Sequence, residues 1–258
     1  MSKIIKILNK VFLVCILGGV LYLSLNLKSK SDIIIQSISI EGNGHLSVEQ
    51  YLSFANLQDK NVYSVLSLQV IKDRIEKHPY VEHADVRYNG EGKVTIKIIE
   101  KVFESLLLKN EEHYLLTDRL QILPILPLTK NIDIPVISIN PLSNGFKVLS
   151  SLRNNYAVIT AVKIIAAVKL LNPELYDNFS SIDLQNEKDI IIELSSVNYQ
   201  IRLGQGNELN KIIYFSNFWN YLKGKEINKY MEYVDLRYGG HVYLGIIEPR
   251  KEEGIKKS

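Results

Sequence analysis

Cysteine is almost absent from this chain: Cys15 stands alone among 258 residues. One cysteine makes neither an intrachain disulfide nor a cysteine-based zinc site. It lies inside an apolar run and reads as a small packing residue, because Phe12-Leu13-Val14 before it does not suit lipid attachment. Histidine is scarce too, with five residues (His45, His78, His83, His113, His241) and no HExxH spacing. There is no G-x-S-x-G around a serine and no GxxxxGK[ST] loop. Gly42-Asn43-Gly44 and Gly204-Gln205-Gly206 are bare G-x-G fragments. The third glycine of a dinucleotide fingerprint would fall at Leu209 in the second, so turn geometry explains both. Asn178-Phe179-Ser180 matches a glycosylation sequon, a triplet that chance supplies often. The residues nominate no catalytic group, no metal ligand and no cofactor site. The expectation is a protein that is not an enzyme.

What is present is one long apolar run. Val11–Leu25 reads VFLVCILGGVLYLSL, and Asn26-Leu27 extend it. Over 11–27 a helix would reach about 26 Å at roughly 1.5 Å per residue, the short end of what spans a bilayer core of about 30 Å. Lys28-Ser29-Lys30-Ser31-Asp32 follows without an A-x-A cleavage site, which favours an uncleaved anchor over a signal peptide. Lys3, Lys6 and Lys10 precede the run and Lys28 and Lys30 follow it. The positive-inside rule therefore favours a cytoplasmic amino terminus by a narrow margin. The reading is a single-pass membrane protein with a cytoplasmic segment at 1–10, a span at 11–27 and an extracytoplasmic soluble region.

That soluble region has ordinary globular composition. Five of the 31 basic residues flank the span and all 28 acidic residues follow it, so no basic field is aimed at nucleic acid. Ile33–Ile40 reads as a strand with Ile34, Gln36, Ile38 and Ile40 on one face. Ser47-Val48-Glu49-Gln50 is a capping box opening a short helix, and a second helix follows Ser67 and ends before Pro79. Tyr80–Tyr88 and Val94–Ile99 form strands around the turn Asn89-Gly90-Glu91-Gly92. The order is β-α-α-β-β. Beyond it, Tyr114–Thr117 reads as a strand and Pro124, Pro127 and Pro135 punctuate the next stretch. Thr160–Leu171 reads as a helix stopped by Asn172-Pro173. Strands are expected at Ser180–Leu184, Ile190–Leu194 and Tyr199–Leu203, then a helix through Tyr221, then strands Glu232–Tyr238 and Val242–Ile247. The fold class is α+β: the anchor, a compact unit at 33–101, a mainly antiparallel β domain with helices at 102–248, and a charged tail at 249–258.

Pro79-Tyr80-Val81-Glu82-His83-Ala84-Asp85-Val86-Arg87, followed by Val94–Glu100, resembles the second half of a POTRA domain of the FtsQ/DivIB bacterial division family. Ile38–Gly42 resembles that domain's first strand and turn. Tyr114–Asp118 resembles the opening of the family's β domain, Leu203-Gly204 a later turn, and Tyr233–Tyr238 with Val242–Ile246 its end. Two positions depart from the pattern: Arg119-Leu120 replaces the glycine usual after Asp118, and Gln205 stands where relatives often carry arginine. The first bears on a local turn and the second on a partner contact.

The resemblance implies a non-enzymatic divisome scaffold at the division septum, organising septal cell-wall synthesis. Its POTRA domain would serve recruitment by other divisome membrane proteins. Its β domain would bind the small coiled-coil proteins FtsB and FtsL, or their counterparts, by adding a partner strand to its last strand. The residues implied for that contact are Tyr238, Val242, Tyr243, Leu244, Gly245, Ile246 and Gln205. An edge strand carries unpaired N–H and C=O groups, so the implied mode is physically sound. Tyr238 and Tyr243 supply aromatic contact to a partner or merely cover the sheet. Asp235 and Arg237 form an internal ion pair or meet the partner. Two other readings compete: a POTRA-containing assembly factor of the outer envelope, which would carry more POTRA units or a barrel, and a membrane-tethered enzyme of unrelated fold, which would need a polar pocket.

Overall fold

The computed structural model describes residues 12–22, 34–130, 132–140, 146–186 and 189–247. The expected cytoplasmic segment, both ends of the expected span and the charged tail lie outside them. Residues 12–22 are helical (α1), and Phe12, Val14, Val20 and Tyr22 are all exposed. Among the described residues, no helix is long and apolar enough to cross a membrane.

A three-stranded sheet comes first, in the order β1-β3-β2, built from β1 (Ser37–Glu41), β2 (Val81–Tyr88) and β3 (Lys93–Glu100). β1 runs parallel to β3, and β2 pairs antiparallel with it. Parallel pairing needs a crossover, which α2 (Val48–Phe54), α3 (Lys60–Tyr63) and α4 (Leu68–Glu76) supply. The capping box is present: Ser47 accepts from the Gln50 amide at 3.4 Å, and Gln50 Oε1 accepts from the Ser47 amide at 2.9 Å. The four-residue α3, capped by Asp59, is the element the sequence pattern missed. The expected inward face of β1 is corrected at its start. Ile35 is fully buried and Ile34 is exposed, because regular pairing begins only at Ser37. Before it, Gln36 and Ser37 both donate to Gly92.

Glu100 ties this unit together. Its carboxylate accepts from the amides of Gly44 (2.8 Å) and His45 (3.1 Å) and from the Tyr51 hydroxyl. The motif glutamate thus fastens the end of β3 to the β1–α2 turn. Burial, then the Glu100 carboxylate beside it, pushes the Tyr51 hydroxyl far above the ordinary tyrosine range. Gly42 allows β3 to approach that turn, since a Cβ there would strike the Ile98 carbonyl oxygen.

The second sheet has nine strands in the order β12-β11-β10-β9-β8-β7-β4-β5-β6. Its first part is β4 (Phe103–Lys109), β5 (Glu112–Thr117), β6 (Ile122–Pro124) and β7 (Val136–Ile139). Its second part is β8 (Phe179–Leu184), β9 (Ile191–Leu194), β10 (Gln200–Arg202), β11 (Met231–Asp235) and β12 (Tyr243–Ile246). The sheet is mixed: β4/β7, β7/β8 and β10/β11 are parallel and the other neighbours antiparallel. Helix α5 (Tyr156–Leu171) and the short α6 (Pro173–Asp177) make the β7–β8 crossover, and α7 (Glu208–Leu222) makes the β10–β11 crossover. Asn172-Pro173 does more than stop α5. Asn172 Oδ1 caps α6 at the Leu175 amide (3.0 Å), and its amide nitrogen reaches Ser216 and Asn220 on α7. Buried Ile164, Ile165 and Val168 of α5 and Ile212, Phe215 and Trp219 of α7 join Ile182, Ile192, Ile201 and Val234 of the strands in one core. Each such side chain contributes about 1.5–3 kcal/mol on burial.

The two sheets share a boundary. Phe103, Leu115 and Leu123 of the second complete the core of the first, beside Tyr51, Tyr80 and Ile96. His45 stacks on Phe103 at 3.9 Å. The proline-punctuated segment after β6 straps across this boundary. The Tyr80 hydroxyl contacts the Pro124 carbonyl (3.0 Å) and Thr129 (2.9 Å) and accepts from the Leu126 amide (2.8 Å). Lys130 N–H donates to the His45 carbonyl at 2.8 Å, and Gln50 donates to the Pro127 carbonyl at 2.9 Å. The turn after Asp118 forms without glycine: Leu120 itself takes a left-handed φ of 62°.

Candidate interaction edge

A nine-stranded open sheet has two edges, and they are treated differently. At β6, the segment around Ser150 closes the edge: Ile122 N–H donates to Ser150 (2.9 Å) and Leu149 N–H returns to Ile122 (2.8 Å). Pro124 also removes a donor there. At the other end, β12 has β11 on one side and no strand on the other among the described residues. Ile247 N–H donates to the Tyr230 carbonyl at 2.8 Å, so it faces inward. By strand alternation Tyr243 and Gly245 also bond inward, and the peptide groups of Leu244 and Ile246 face out.

Local sequence builds this edge. Tyr238-Gly239-Gly240-His241 turns the chain back, with Gly240 at φ 77°. Gly245 sits opposite Tyr233 with the tyrosine ring laid over it, where a Cβ would collide with the ring. The Arg202 guanidinium lies over the same ring, 4.4 Å from its centroid. Tyr238 and Tyr243 meet edge to face at 5.2 Å and remain more than half exposed. Ile246 is exposed, whereas Leu244 is partly buried and packs on the core.

The ion-pair reading of Asp235 and Arg237 is met in the structure. Arg237 Nε and Nη2 grip the Asp235 carboxylate at 3.0 and 2.6 Å, and Nη1 reaches Asp189 at 3.1 Å. The guanidinium hydrogen bonds hold the Asp235 carboxyl below the usual carboxylate range. This pair is internal, and Gly204 makes room for it, since a Cβ there would press on the Arg237 side chain at 2.6 Å.

Tyr238 and Val242 line a hollow of about 180 Å³ shared with Asn210, Lys211 and Tyr214 of α7. Those helix residues were absent from the sequence expectation. Tyr214, 65% exposed on a helix that buries Phe215 and Trp219, is the signal that marks them. Gln205 lies apart from the edge, in a neighbouring hollow with Tyr156, Asp189 and Glu208. The Gln205 carbonyl accepts from Lys211 Nζ at 3.0 Å. The structure thus groups Tyr238, Val242, Tyr243, Leu244, Gly245 and Ile246, and separates Gln205 from them. Among the described residues no group of histidines, cysteines and carboxylates is arranged to hold a metal.

The chain thus joins a three-stranded β-α-β-β unit to a nine-stranded mixed sheet with one open edge. The three-stranded unit is a POTRA domain: residues 34–101 match the family model "POTRA domain, FtsQ-type". That match supports placing the chain among the FtsQ/DivIB proteins, as the motif pattern implied. No curated protein matches the chain.

Proposed function

We infer that the protein is a non-enzymatic, membrane-anchored divisome scaffold that binds FtsB- and FtsL-like proteins by strand addition at β12. The open edge carries this reading: outward peptide groups at Leu244 and Ile246, flanked by exposed Tyr238 and Tyr243. Main-chain pairing supplies affinity, and the tyrosines with the α7 hollow supply selectivity. The FtsQ-type POTRA domain supports the division setting. The exposed apolar side chains of α1 support a single anchor, and the lysines around it favour an extracytoplasmic soluble region, which in this reading works at the septum.

The test is capture of FtsB- and FtsL-like proteins from the same organism by the full chain in detergent. Ile246→Pro removes one outward donor and leaves the inward bonds of β12 in place. Capture by wild type, its loss in Ile246→Pro and its weakening in Tyr238→Ala, with unchanged circular dichroism, is the expected result. Undiminished capture by Ile246→Pro would refute binding through this edge.

A further inference from the structure

A hollow of about 260 Å³ opens at the carboxyl ends of β8 and β10, beside the amino ends of α5 and α7. β8 and β10 each pair antiparallel with β9, so they run the same way and end on the same side of the sheet. In open sheets crossed by helices, the crevice outside the carboxyl ends of the strands is where ligands bind.

Thr160 of α5 lines this hollow and is 8% exposed. Its hydroxyl has no hydrogen-bond partner among the described residues. It is not sealed in either: the sealed side-chain polar atoms without a partner belong to His45, Ser105 and Trp219. The Thr160 oxygen therefore keeps accessible surface, and the hollow is the space its residue lines. A hydroxyl so deeply placed nearly always has a partner, so one from outside the fold is called for.

The rest of the lining says what that partner is. Asp189 and Glu208 bring carboxylates, and no lysine or arginine lines the hollow among the described residues. An oxyanion would meet those carboxylates without the cation that holds such groups. Asp189 already accepts from Arg237 Nη1 at 3.1 Å, and Glu208 from the Gly206 amide at 2.6 Å. A cation would face two half-engaged carboxylates and the partial positive charge of two helix amino ends, one of which, α7, has no side-chain cap. What suits the site is a neutral group that both donates and accepts. Tyr156 adds a ring, 74% exposed, with an apolar face for a partner to cover.

We propose that this hollow binds a neutral sugar ring, with the Thr160 hydroxyl and the free lone pairs of Asp189 and Glu208 meeting its hydroxyl groups and Tyr156 covering its C–H face. A hydroxyl donates and accepts at once, which matches a lining of carboxylates, a hydroxyl and helix amino ends. The site is separate from the β12 edge and does not rest on strand addition there.

The full chain, labelled with ¹⁵N-glycine and held in a polyoxyethylene detergent that carries no sugar, is titrated with methyl glucoside and, separately, with N-acetylglucosamine. N-acetylglycinamide serves as the neutral amide control. The Gly206 amide lines the hollow and reports binding. The expected result is saturable movement of its peak with one or both sugars and none with the amide. Tyr156→Ala and Thr160→Val each weaken binding about fivefold, the scale of one ordinary contact. Thr160→Val keeps the side-chain shape and breaks no internal hydrogen bond, so its melting temperature stays equal to wild type or rises. That separates a hydroxyl lost to the ligand from a damaged fold. A peak unmoved by both sugars, moved as strongly by the amide, or moved at undiminished affinity in either variant would overturn the proposal.

Discussion

Replacing Tyr80 with phenylalanine tests whether the strap welds the two sheets together. The ring is fully buried and packs edge to face on Phe103 at 4.9 Å, and phenylalanine keeps that packing. What goes is one oxygen that meets the Pro124 carbonyl, the Leu126 amide and Thr129 at 2.8–3.0 Å. Thr129 has the Leu126 carbonyl as a second partner, so its loss is small. The Leu126 N–H and the Pro124 carbonyl each lose their tyrosine partner. A buried group left unsatisfied costs about 1–3 kcal/mol, and water reaching this partly buried site lowers that, giving about 1–2 kcal/mol in total. Urea unfolding of the full chain should show the midpoint falling by that equivalent with an unchanged slope. Hydrogen exchange at the Leu126 amide should accelerate locally. A loss under about 0.5 kcal/mol, the scale of an ordinary surface substitution, together with an equally protected Leu126 amide would show that the strap does not hold the boundary.

His78 gives a pH prediction. Its Nδ1 accepts from the Tyr80 amide at 3.1 Å, which requires a neutral ring, and burial with Lys101 nearby lowers its pKa to about 4. The unfolded chain therefore takes the proton first as pH falls. Stability is complete above about pH 6.5 and declines by up to about 1.4 kcal/mol per unit toward pH 4. His78→Gln should flatten that decline in urea titrations at pH 7 and 5, and an equal decline in both proteins would place its source elsewhere. Gly245→Val sets a branched side chain against the Tyr233 ring, which Arg202 covers. The expected cost is about 1–3 kcal/mol of overpacking with loss of partner capture, and a variant as stable and as competent as wild type would contradict the packing described for β12.

Local periodicity made most of the POTRA unit legible. Capping box, alternating strand and glycine turn each satisfy their own backbone within a few residues, so sequence and structure agree there. The nine-stranded sheet was less legible because its parallel pairings are decided at long range. Leu106–Leu108 meet Val136–Ser138 only after two intervening strands, and nothing in Pro124–Pro135 announces that return. Ile34 and Ile35 are chemically identical, and the long-range bonds of this segment, Ile35 N–H to Ser64 and Gln36 and Ser37 N–H to Gly92, set which one is buried. The edge residues of β12 were readable from the family pattern. The α7 contribution was not, since Asn210 and Tyr214 reach the hollow only after the β10–β11 crossover is folded. Gln205 lines a different hollow from Tyr238 and Val242, a separation that depends on how the Gly204–Gly206 turn enters α7 and that local pattern does not show.

The strand order also sets how far the proposed binding edge lies from the POTRA unit. β6 and the strap lie against the POTRA unit, and β12 is eight strand positions away. At about 4.8 Å per step, that is roughly 38 Å across the sheet. A strand added at Leu244 and Ile246 would therefore lie beyond reach of the POTRA helices, while Phe103, Leu115 and Leu123 join the other end of the sheet to the POTRA core. Contacts made by the POTRA unit and contacts made at β12 would be separate in space. Lesions on either side should then affect their own contacts without impairing the other's, and Ile246→Pro should leave any partner contact of residues 34–101 intact.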